Sequence, residues 1–115
     1  MLKITMPRGD IRLERFQVKD SEGLLSQIDF TEIYFTVKKD ALDKNFLFQK
    51  TLSGGDIVKI DVGDYQFKIE PEDTDGLRFG QYECDIELIY EDQIKQTEYG
   101  ILEITREVTH ALNEV

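Results

Sequence analysis

The chain has one cysteine, one histidine, two prolines and no tryptophan in 115 residues. A single cysteine excludes an intramolecular disulfide. Small secreted domains usually need such staples, so this chain is expected to fold in a reducing cytosol. The lone thiol, Cys84, stands far in sequence from the lone imidazole, His110, and no Cys–His pair is evident. With these counts, a histidine-based metal cluster and the common structural zinc sites are excluded. No stretch approaches the roughly 20 apolar residues of a membrane span. The N-terminus lacks an apolar core long enough for a signal peptide, so synthesis in the cytoplasm without export by the general secretory route is expected. No glycine-rich phosphate loop is present, because Gly54-Gly55 is not followed by Lys-Ser or Lys-Thr and a helix. Positive charge is also scarce: 14 basic residues stand against 24 acidic ones, a net charge of −10. Such a chain repels phosphate backbones and anionic membranes, so neither nucleic acid nor membrane is expected as a partner. The excess favours solubility or a basic partner. There is no catalytic signature, and neither an enzymatic activity nor a cofactor is expected.

What is present is a period of two. Hydrophobic content of 40% with 33% charge excludes wholesale disorder. The length fits one domain with a real core. Residues 80–90 alternate best. Tyr82, Cys84, Ile86, Leu88 and Tyr90 share one face, Gln81, Glu83, Asp85 and Glu87 share the other, and only Ile89 breaks the rule. One apolar and one charged face make a half-buried antiparallel strand. Shorter alternations predict strands over residues 2–6, 10–19, 31–39 and 45–52, with a bulge at Glu14-Arg15 in the second. Phe46 and Phe48 fall in phase in the fourth. Val58, Ile60 and Val62 form one inward row, and Tyr65, Phe67 and Ile69 the next. Pro71 ends that strand. Residues 72–79 then cross between sheets, with room for a single helical turn. The last strand is expected at residues 94–105, with a bulge at Gly100. Seven to nine short strands separated by turns indicate an all-β sandwich over residues 1–105 rather than a βαβ fold. Residues 106–115 form a tail. In it Val108, Ala111, Leu112 and Val115 lie at helical spacing. It is either a helix docked on the sandwich, a second copy or a partner, or a frayed terminus. Val108, Leu112 and Val115 are the candidate partner contacts.

Several motifs have a plain structural explanation beside a functional one. Arg8-Gly9-Asp10 is the integrin tripeptide, but it joins two expected strands where glycine serves the turn. Cys84 is in phase with Ile86 and Leu88, so it is expected to be buried and inert. Glu70, Glu72, Asp73 and Asp75 are the densest carboxylates, and Asp73-Thr74-Asp75-Gly76 faintly resembles a calcium loop. The glutamate that a full loop needs is missing, since Cys84 occupies its place. No metal is therefore expected. Outward aromatics, among them Tyr34, are candidates for sugar or protein contact.

Gly80, Tyr82 and Cys84 have the spacing of the corner in immunoglobulin-like sandwiches. With Ile33-Phe35-Val37 and Tyr65-Phe67-Ile69 they make the chain resemble an immunoglobulin-like antiparallel β-sandwich. The resemblance implies a Tyr82 hydroxyl bonded to upstream backbone near residues 72–75. The chain departs from antibody domains in having no tryptophan on strand three and no cysteine on strand two. Four further pieces are similar to immunoglobulin-like domains of phage and prophage structural proteins, including the N-terminal domains of baseplate upper proteins. They are Arg8-Gly9-Asp10, the run Ile33 to Lys38, the run Gly63 to Tyr82, and Gly100-Ile101-Leu102-Glu103-Ile104. That resemblance implies a non-enzymatic virion part or accessory, made in the bacterial cytoplasm, that self-associates or packs on other virion proteins. It carries over no binding residue. Two other functions fit the residues: an acidic inhibitor mimicking nucleic acid, and a carbohydrate-binding module, which would need an exposed coplanar aromatic pair.

Overall fold

The computed structural model describes residues 1–106. The expected tail contacts Val108, Leu112 and Val115 lie outside the described residues. Among those residues eight strands form two facing sheets. The strands are β1 (Leu2–Pro7), β2 (Arg12–Gln17), β3 (Glu32–Lys38), β4 (Phe48–Thr51), β5 (Ile57–Asp61), β6 (Asp64–Ile69), β7 (Gly80–Tyr90) and β8 (Gln93–Thr105). One sheet has the order β1-β8-β7-β3-β4 and the other β2-β6-β5. Neighbours pair antiparallel, except that β1 runs parallel to β8. A single helical turn, α1 (Pro71–Thr74), makes the crossover between β6 and β7.

The alternating rows meet as two layers. β3 supplies Ile33, Phe35 and Val37, β6 supplies Tyr65, Phe67 and Ile69, and β7 supplies Tyr82, Cys84, Ile86 and Leu88, all buried. Aromatic rings fill much of this core. Phe35 and Phe67 stack across the layers with centroids 4.4 Å apart, and Phe16 stacks on Tyr65 at 5.5 Å. Aromatic burial of this kind supplies large apolar area and about 0.5–1.5 kcal/mol per pair beyond it. Lys50 is also buried, an outcome that alternation alone did not mark.

Four local expectations are corrected. β2 keeps an unbroken register with β6 from Arg12↔Ile69 to Gln17↔Asp64, so there is no bulge at Glu14-Arg15. Phe16 faces inward while Leu13 and Ile11 are exposed. The apolar pair Ile11 and Leu13 had suggested a phase change, but this edge strand simply exposes it. Gly100 is no bulge either: it pairs in register with Cys84, and the irregularity lies between Leu88 and Ile89, where the alternation of β7 also fails. The inward residue of β5 is Ile57, opposite Phe67, and Val58, Ile60 and Val62 are exposed. Phe46 precedes β4 and is exposed, whereas Phe48 is buried.

Candidate functional site

The residues singled out at the corner lie at the crossover. Pro71 starts α1 in the first-turn position where its missing N–H costs nothing. The Glu70 amide donates to Asp73 Oδ2 at 2.7 Å, and the Glu70 side chain accepts from the Asp73 amide, a reciprocal capping box. Gly80 takes φ +137°, a region that side chains disfavour, as β7 begins. Tyr82 then turns its hydroxyl back and donates to the Arg78 carbonyl at 2.7 Å. The acceptor lies nearer in sequence than residues 72–75, of which the Thr74 carbonyl accepts from the Leu77 amide instead.

The Arg8-Gly9-Asp10 turn is fastened to the same crossover. The Gly9 amide donates to the buried Thr74 Oγ1 at 2.8 Å. The Arg8 guanidinium lies 4.5 Å from the Phe79 ring centroid and donates to the Leu77 carbonyl at 3.4 Å. Arginine and glycine of the tripeptide therefore brace the fold. The acidic run is likewise engaged, since Asp73 Oδ2 also sits 2.6 Å from Lys50 Nζ. Among the described residues no group of three His, Cys, Asp or Glu side chains could hold a metal ion. Cys84 is buried between Tyr82 and Ile86. Burial pushes its thiol up to about 12, with Asp85 and Glu14 adding to the shift. At neutral pH the thiol is protonated, and a thiol is a poor nucleophile.

The part of the surface with a shape of its own is the outer face of the five-stranded sheet. Two rows of cross-strand neighbours run over it. Thr36, Asp85 and Tyr99 make one, and Lys38, Glu83 and Ile101 the other, on β3, β7 and β8 in turn. Together with Met1 and Ala41 they line a concavity of about 410 Å³. That volume is at the lower end of ligand clefts, roughly 300–1,000 Å³. The loop after β3 is drawn towards this face. The Glu83 carboxylate accepts from the Ala41 amide, and Lys38 Nζ donates to the Asp43 carbonyl at 2.9 Å. Tyr99 stands on the other side, 67% exposed. Asp85 is half-buried between them. Burial raises its carboxyl above the ordinary value, and the charge of Lys38 offsets part of the rise. Among the described residues no hydrogen bond or ion pair reaches the Asp85 carboxylate.

Sequence reasoning had placed Glu83 and Asp85 on an outward face. It did not bring Lys38 and Tyr99 to them, because that needs the order β3-β7-β8. Tyr34 is on the same face but stands opposite Glu87, one row away from Tyr99. The two tyrosines are not cross-strand neighbours.

No family model matches the chain, and no curated protein matches it. Among solved structures the chain is similar to the NK cell receptor Nkp44, a triggering partner in natural cytotoxicity. The two share 17% identity over 90% of this chain and 96% of that one, with a TM-score of 0.51. At that identity the likeness is one of fold. Two facing sheets, a tyrosine at the crossover and this likeness make the chain an all-β, immunoglobulin-like β-sandwich.

Proposed function

We propose that the chain is a non-enzymatic protein–protein interaction module that serves as a structural or accessory part of a phage or prophage virion, of baseplate or tail type. The observation that carries the interaction reading is the outer face of the five-stranded sheet, with a concavity and a half-buried carboxylate that makes no bond within the described chain. The virion reading rests on the four sequence pieces that resemble phage and prophage domains. Their best-placed residues serve the frame: Arg8 and Gly9 brace the crossover, and Tyr82 fastens it. A frame of this kind leaves the sheet faces and edges for contacts, and many small contacts repeated by symmetry give avidity. On this reading the protein is made in the bacterial cytoplasm and then joins the virion. Sedimentation over a wide concentration range, with a pull-down against purified virion proteins, tests it. Concentration-dependent assembly or capture of a virion protein is expected. A strict monomer that captures none would overturn the reading.

A second reading, an acidic inhibitor that mimics nucleic acid, draws on one feature. Glu83, Asp85 and Glu87 occupy alternate outward positions of β7, so their carboxylates follow one line. Competition with DNA for a basic nucleic-acid-binding protein, weakening steeply with salt, would favour it over the first reading.

A further inference from the structure

We propose that the concavity on the outer face of the five-stranded sheet receives an arginine side chain from a partner protein, its guanidinium paired with Asp85 and stacked against Tyr99. The inference rests on the interaction-module reading and names the chemistry of the contact. Asp85 and Tyr99 are direct cross-strand neighbours on β7 and β8. Opposite residues of an antiparallel pair have β-carbons about 4.5–5.5 Å apart, so one planar group can meet both side chains. Tyr99 presents an exposed ring, and a guanidinium stacks on such a face.

Asp85 is the more telling partner. A half-buried carboxylate without a hydrogen bond has lost water and gained little in return. A cation with several N–H donors in one plane restores both charge and hydrogen bonds, and arginine does so through two parallel bonds. The other charged side chains facing the space are Glu83 and Lys38, and the Met1 amino group lies at its edge. Glu83 and Lys38 are committed to the loop after β3, through the Ala41 amide and the Asp43 carbonyl. Lys38 opposes an incoming cation, and this limits the site to one that approaches from the Tyr99 side. The net charge of −10 steers a basic partner towards the protein as a whole.

The test is a titration of the isotope-labelled protein, followed by amide shifts, with acetyl-Gly-Arg-Gly-amide as the probe and the Lys and Ala tripeptides as comparators. Shifts confined to Thr36, Asp85, Tyr99 and their neighbours are expected, strongest with the Arg peptide and reduced by salt. Asp85→Asn should weaken binding about tenfold or more, the loss of a charge-assisted pair. Tyr99→Ala should weaken it severalfold. Each variant must first keep the wild-type pattern of amide shifts elsewhere, and Tyr99, being exposed, provides a variant that does not depend on a buried position. Equal shifts with the Ala peptide, shifts on another face, or an affinity unchanged in both variants would overturn the proposal. A neutral oligosaccharide that moves the same amides when the Arg peptide does not would also overturn it. In either case, capture of a virion protein unaffected by Asp85→Asn would leave the interaction-module reading standing.

Discussion

Lys50 Nζ lies 2.6 Å from Asp73 Oδ2, which ties the outer strand β4 to the helical turn at the crossover. The two side chains are 10% and 14% exposed. Lys50 pairs with Phe35 and points into the sandwich, so its stem is packed in the core while its charge reaches the turn. The same Asp73 oxygen accepts from the Glu70 amide. One carboxylate therefore holds a strand and starts a helix.

Removing one side of that pair leaves the other buried and uncompensated. Lys50→Met and Asp73→Ala are each expected to destabilise the fold by about 3–5 kcal/mol, as broken buried pairs do. A double-mutant cycle in urea should show the two effects to be strongly non-additive. Additive effects would mean that the pair contributes nothing as a pair.

Tyr82→Phe removes the hydroxyl that holds the Arg78 carbonyl and leaves the ring in place. The expected loss is about 1 kcal/mol. The urea midpoint should fall while the slope with denaturant stays constant, because the folded and unfolded surfaces hardly change. A neutral result would show that water satisfies that carbonyl equally well.

Gly100 has no room for a side chain. A β-carbon there would lie 2.7 Å from that of Leu2 and closer still to the Leu2 carbonyl oxygen. Gly100→Ala should therefore push β1 off β8, at about 1–3 kcal/mol for an overpacked site. Hydrogen exchange should report the change locally: amides of β1 lose protection before those of β3 and β7. Uniform loss across all strands would contradict a local displacement.

Cys84 should resist alkylation in the folded state at pH 8 and react once the protein is unfolded. Its folded value of about 12 exceeds the ordinary 9. Between those values the unfolded chain has released the thiol proton while the folded chain keeps it. Stability from this group is thus complete below about pH 9 and is lost as pH rises towards 12. Cys84→Ala should flatten the fall of stability over that alkaline window by up to one proton. An unchanged slope would show that the thiol ionises freely in the fold.

The corner was legible because its signals are local. Gly80, Tyr82 and Cys84 stand in a fixed spacing, Pro71 announces a first helical turn, and β7 alternates over most of its length. β2 was less so. Ile11 just before it and Leu13 within it fall on the outside, while Arg12 and Glu14 lie on the inward phase of Phe16 and pair with each other at 3.1 Å. β2 is an edge strand whose inward row carries Arg12 and Glu14 before Phe16, so hydrophobicity does not mark its inner face. Gly100 misled for a different reason: what crowds it is Leu2, from the other end of the chain.

The sequence by itself determined the class of structure. Strict period-two rows, short turns and a shortage of helical patterns leave few options but two apolar sheet faces closing on each other, since burial of those rows is the dominant favourable term. Only the tertiary structure decided which strands are neighbours, and with them the ion pair of Lys50 with Asp73 and the meeting of Lys38, Asp85 and Tyr99. Strand order is set by side-chain packing between segments distant in the chain, a sum over many weak contacts that no single stretch of residues displays.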